Sequence, residues 1–158
     1  MKAIVQDAYG SPDLLGFSEV EIPTAGPHEV LVRVRAASVH PDVWHMVWGL
    51  PRVLRIMGAG LRRPKSLVPG TDLAGIVESV GPNVTRFRPG DEVFGKTVGA
   101  NSWRNGGAYA EFASAREDRL ELKPPTLTFE QAAAAPDSGT IAIQGLREKV
   151  VSRPDIAS

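Results

Sequence analysis

VPGTDLAGIVESVGPNVTRFRPGDEVFG, residues 68 to 95, decides how the chain is read. Leu73 to Val80 has the length of a strand, and its two sides differ little in polarity. Leu73, Gly75, Val77 and Ser79 alternate with Ala74, Ile76, Glu78 and Val80. A strand of that kind suits a place where both faces are covered. Gly81-Pro82-Asn83 then turns the chain, because glycine reaches positive φ and proline fixes its own. Pro89-Gly90-Asp91 turns it again, and Glu92-Val93-Phe94 resumes the extended course. Gly70, Gly75, Gly81 and Gly90 read as turn and close-packing glycines rather than ligand contacts.

Working outward, short extended segments dominate. Residues 2 to 6 read as a first strand, Tyr9 to Pro12 as a turn, and Leu14 to Ile22 as a second strand ending at Pro23. Glu29 to Ser38 alternates most clearly, with Val30, Val32 and Val34 opposite Leu31, Arg33 and Arg35. Pro41 suits the first turn of a short helix, and Gly49 followed by Pro51 ends it. On that helix Asp42 and His45 are i, i+3 neighbours, and Trp44 and Trp48 are i, i+4. A short helix and a basic loop follow over residues 52 to 67. Lys96 to Gly106 reads as a loop containing Trp103, Gly107 to Ala113 as a strand with Tyr109 and Glu111 on one face, and Glu121 to Pro125 as an extended linker. Thr128 to Ala135 reads as a helix, with Thr128 and Gln131 in capping-box spacing. Pro136 is expected to stop or kink it before a second helix from Thr140 to Lys149. The fold class is mainly β with short helices.

Composition narrows the function. At 158 residues the chain is about one domain. Eighteen basic and 18 acidic residues offer no electrostatic case for nucleic acid or an anionic membrane. The absence of cysteine excludes disulfides, thiolate-held zinc and thiol catalysis, and suits a reducing cytoplasm. No apolar run approaches the roughly 18 residues of a membrane span, and the amino terminus does not read as a signal peptide. Cytoplasmic placement is expected.

The pattern PGxDxAGxVxxVGxxVxxxxxGDxVxG over residues 69 to 95 resembles the amino-terminal catalytic domain of medium-chain dehydrogenases/reductases. The opening MKAIV, Glu29 to Val34, Gly107 to Glu111 and Leu127 to Ala133 agree in order, so the resemblance covers roughly residues 1 to 149. It implies a GroES-like, partly open β-barrel over 1–125, connecting helices over 126–149, and an atypical tail over 150–158. In that family such helices lead to a Rossmann domain, but no GxGxxG or AxxGxxG follows residue 136. The chain therefore reads as truncated, and as inactive by itself without a nucleotide-binding domain. The resemblance is to the zinc-free quinone oxidoreductase branch. It implies NADPH as cofactor, a small-molecule quinone or α,β-unsaturated carbonyl (enone) as substrate, and hydride transfer as chemistry. A Rossmann-bearing chain or a homo-oligomer would be the partner. Two alternatives are an inactive remnant serving as a binding or pairing module, and a zinc alcohol dehydrogenase-like domain that has lost its metal ligands. A co-chaperonin is a more distant one.

The family register also places candidate residues. In zinc-dependent relatives the metal is held by a cysteine, a histidine and a second cysteine, which fall here at His40, Thr71 and near Asp137. Thr71 is a poor zinc ligand, so no metal is expected. A cryptic site from His40, Asp72 and Asp137 has no support from spacing. The proton-relay positions of the zinc enzymes match Asp42 and His45, the candidate catalytic pair. The positions that face nicotinamide in the quinone oxidoreductases match His40 and His45, the candidate cofactor contacts. Histidine titrates nearest neutrality and so can carry protons, but either ring equally suits capping or packing the helix, as Asp42 suits the helix dipole. Trp44, Trp48, Thr71, Asp72 and Trp103 form the candidate substrate pocket, with core packing the other reading of the tryptophans. Arg52, Arg55, Arg62, Arg63 and Lys65 read as a solvated basic face or as a lip of the cleft.

Overall fold

The computed structural model describes residues 1–53, 55–56, 60–99 and 105–151. Expectations for Trp103 and for the tail from residue 152 lie outside these, as does part of the short helix after Arg52. Among these residues, seven strands and three α-helices follow one another: β1 (Lys2–Val5), β2 (Gly16–Glu19), β3 (Glu29–Ala37), α1 (Pro41–Trp48), β4 (Asp72–Val80), β5 (Glu92–Lys96), β6 (Phe112–Arg116), β7 (Leu120–Leu122), α2 (Phe129–Ala134) and α3 (Pro136–Val151).

The strand within residues 68–95 is the centre of the molecule. β4 lies in the middle of a five-stranded antiparallel sheet ordered β6-β3-β4-β5-β7. One of its faces sends Leu73 and Val77 into a core with Val30, Val32, Phe87, Val93, Ala113 and Leu120. The other sends Ala74 against Ala132 and Ala133 of α2. Both faces are covered, as the even polarity of its two sides implies. Gly75 is needed because a Cβ there would stand 2.2 Å from the carbonyl oxygen of Arg33. Register shifts at Leu31/Val32 and Val34/Ala36 of β3 interrupt its pairing with β4, and such bulges bend a sheet. The sheet stays open, with β6 and β7 at its ends. β1 and β2 form a separate pair, tied to the chain before β6 through Ala3 and Ala110.

Four expected boundaries are corrected. The second strand is only Gly16–Glu19, because Pro12–Leu14 forms a 3-10 turn capped by Ser11. The strand read from Gly107 begins at Phe112 instead. Gly107 has φ +86°, and residues 107–109 donate amide hydrogens to the 68–70 loop rather than to a ladder. The linker from Glu121 overlaps β7, whose pairing with β5 is extended by the Lys123 amide donating to Glu92. Pro136 opens α3 rather than stopping a helix. A first-turn proline loses no helical hydrogen bond. The capping box at Thr128 and Gln131 is present, as are Pro41 in the first turn of α1 and Gly49 as its left-handed C-cap.

Candidate active site

Several elements meet at one buried point. His40 precedes α1, Thr71 and Asp72 lead into β4, Lys96 ends β5, and Asp137 lies in the first turn of α3. Asp72 is fully buried, and His40 and Asp137 are nearly so. β4 and β5 set Asp72 directly opposite Lys96 in their register. The short passage from α2 into α3 brings Asp137 over β4, where its backbone N–H donates to Asp72 Oδ2 at 2.9 Å.

The direction of each hydrogen bond follows from the donors available. Thr71 Oγ1 donates its one proton to Asp72 Oδ1 at 3.0 Å. Its lone pairs are left for His40, whose Nε2 stands 2.7 Å away. Nε2 therefore carries the ring proton of neutral His40 and donates it to Thr71. Nδ1 is buried without a hydrogen-bond partner, 3.5 Å from Asp137 Oδ2. The Lys96 ammonium donates to the other oxygen of Asp137. Burial pushes the Asp72 carboxyl above its ordinary range. Lys96 opposes that most strongly, followed by the Thr71 hydroxyl, His40 and the Asp137 amide.

The candidate residues divide between the two ends of α1. Asp42 joins the buried point: ligand atoms of His40, Asp42 and Asp137 all lie within 4.8 Å of one another. His45 sits toward the other end, with Nδ1 3.1 Å from the carbonyl oxygen of Leu50. The carbonyl can only accept, so Nδ1 is the donor there. Trp44 is half exposed, with its ring edge-on to His45 at 4.9 Å and 5.9 Å from Trp48. The indole N–H of Trp48 is buried without an acceptor. Thr71 and Asp72 are placed at the centre, and Trp103 lies outside the described residues. Arg55 of the basic stretch donates to the Gly49 carbonyl and stacks on Tyr9. A cavity of about 310 Å³ beside the buried point is lined by Phe94, Lys96, Val98, Arg119, Pro136 and Thr140, among others.

Local sequence does not disclose Lys96 or its bond to Asp137, since Lys96 reads there as the start of a loop. A signal exists in the strand register. If β5 pairs with β4 so that Glu92 meets Ile76, Lys96 must meet Asp72. Spacing along the chain also hid the meeting of His40, Asp72 and Asp137, which the fold supplies. As it stands this donor set does not suit zinc. A catalytic zinc needs three protein ligands and an open position. Here Thr71 is turned toward Asp72, and Asp137 is already paired with an ammonium group.

Residues 26–125 match the profile of the alcohol dehydrogenase GroES-like domain. A chloroplastic quinone-oxidoreductase homolog of Spinacia oleracea is 36% identical over 149 residues, covering 94% of this chain and 42% of that protein. The structure of the quinone oxidoreductase from Coxiella burnetii superposes with a TM-score of 0.83 at 30% identity, covering 98% of this chain and 47% of that one. The Escherichia coli quinone oxidoreductase complexed with NADPH gives a TM-score of 0.77 at 26% identity, covering 94% and 41%. The chain thus spans less than half the length of these relatives.

Proposed function

The chain belongs to the alcohol dehydrogenase GroES-like family, as a quinone-oxidoreductase-like amino-terminal domain of the medium-chain dehydrogenases/reductases, and from that premise we propose that it forms the substrate side of a zinc-independent, NADPH-dependent reductase of quinones or α,β-unsaturated carbonyls. The observation that carries this reading is the buried, unpartnered Nδ1 of His40, oriented by the Thr71–Asp72 pair.

An orphaned ring nitrogen fits a polar ligand at the cleft. His40 and His45 are the residues that would hold the nicotinamide end of NADPH. When bound, NADPH supplies the hydride, and a nucleotide-binding domain, in this chain or a partner, would hold the rest of it. The substrate oxygen then needs a proton. Protonated His40 holds one at Nδ1, beside Asp137, and delivers it while Nε2–H stays anchored on Thr71. Asp42, exposed at the first turn of α1, links that atom to solvent for reprotonation. Trp44 and Trp48 offer flat apolar surface for a ring. Most of the rate enhancement would come from holding donor and acceptor in contact. In this reading residues 1–125 are the catalytic domain, and the helices over 126–149 bring Asp137 to it. The site would work in the cytoplasm; among the described residues no helix is long and apolar enough to cross a membrane.

The test joins the chain to the nucleotide-binding domain of a matching relative and follows NADPH oxidation with a 1,4-quinone, an enone and an aldehyde. Oxidation that falls about 100-fold in His40→Ala, within the range for losing a general acid, supports the reading. No turnover with any of the three overturns it. A second reading, a pairing module without chemistry, draws on the exposure of Ile141, Ile143 and Leu146 on α3. It predicts self-association that charged substitutions at these positions abolish.

A further inference from the structure

We propose that Lys96 is the resident cation of the buried site: its ammonium group occupies the charge position that a divalent metal would need among His40, Asp42, Asp72 and Asp137, and it keeps the site metal-free. The inference is independent of the reductase reading, since metal exclusion is measured without turnover.

The atoms for a cation site are present. His40, Asp42 and Asp137 bring ligand atoms within 4.8 Å of one another. His40, whose side chain is only 7% exposed, keeps Nδ1 unpartnered and aimed at Asp137 Oδ2. A bare imidazole nitrogen beside two carboxylates is a donor set for a divalent transition ion. Lys96 occupies its charge position instead. Its ammonium is bonded to Asp137, and the residue itself pairs with Asp72 across the β4–β5 ladder. A metal bound between His40 Nδ1 and Asp137 Oδ2 would share Asp137 with Lys96 and sit against its positive charge. Removing the ammonium frees Asp137 and leaves the buried carboxylates without a counter-ion, so a divalent ion becomes the favourable partner. Arginine at the same position preserves the charge and the exclusion.

The probe is cobalt(II), whose ligand-field absorption reports ligation directly. Wild-type chain, Lys96→Met, Lys96→Arg and Lys96→Met/His40→Ala are titrated with it and their thermal midpoints measured with and without the ion. Wild type and Lys96→Arg are expected to show no site absorption. Lys96→Met is expected to bind about 10- to 100-fold more tightly than wild type, the scale on which a metal site's supporting groups act. It should also gain thermal midpoint on binding, and lose both effects with His40→Ala. Wild type that binds cobalt(II) through His40 overturns the proposal. So does Lys96→Met that binds no better than wild type, or Lys96→Arg that binds as Lys96→Met does. If Lys96→Met does not fold without metal, refolding it with cobalt(II) must recover the native circular dichroism, and failure to recover counts against the proposal.

Discussion

His40, Thr71 and Asp72 form a directional chain: a buried carboxylate fixes a hydroxyl, and the hydroxyl fixes an imidazole. Each residue alone has an ordinary reading in sequence. Together they leave one nitrogen of one histidine free and aimed. Tyr109 stands near them, donating its hydroxyl hydrogen to the Ser38 carbonyl at 2.9 Å, its ring filling the space that Gly70 leaves open. Burial, and then the charge of Asp72, push its phenol up to about 12 from 10.0. The folded chain therefore binds the phenolic proton more tightly than the unfolded chain does. The stabilisation is complete below pH 10 and disappears as pH rises through about 12. Denaturant midpoints of wild type and Tyr109→Phe, compared across that window, check this. Wild type should fall more steeply with pH, while at neutral pH Tyr109→Phe should lose about 0.5–1.5 kcal/mol for the missing hydrogen bond. Equal slopes would contradict the assignment.

At the scale of elements, the parts legible in sequence were those in which local chemistry and tertiary packing agree. α1 carries its own start and stop in Pro41 and Gly49. α2 carries a capping box in which the Thr128 hydroxyl accepts from the Gln131 amide and the Gln131 side chain from the Thr128 amide. Thr128→Ala should therefore cost about 1 kcal/mol of stability, within a range of about 0.5–2, measured by urea unfolding; no change would mean that the α2–β4 packing alone holds the helix. The elements that local sequence misplaces are those whose partners lie far along the chain. Residues 107–111 alternate like a strand, but they hydrogen-bond to the 68–70 loop and to β1. β7 has only three residues and too short a pattern to declare itself. It exists because β5 offers an edge and Leu120 finds the core. Pro136 reads as a terminator from its chemistry, although the same chemistry opens a helix when the preceding turn delivers the chain correctly.

At the scale of the molecule, the open sheet gathers a site from residues whose roles no local pattern announces. His40, Thr71 and Asp137 are visible as positions in a family register, yet their meeting depends on β4 being central and on α3 starting immediately after α2. Lys96 carries no local signal because its role exists only through the β4–β5 register. The buried point is thus a readout of the whole assembly, and its central feature is the orientation of one ring. The measurement that tests it most directly is the tautomer of His40, read by nitrogen–proton correlation NMR on chain with nitrogen-15-labelled histidine, assigned with His40→Gln. The account predicts a single neutral tautomer with the proton on Nε2, donated to Thr71, and a bare Nδ1 that is perturbed when a quinone is added. A neutral ring with its one proton on Nδ1, or a ring averaging between tautomers, would contradict it.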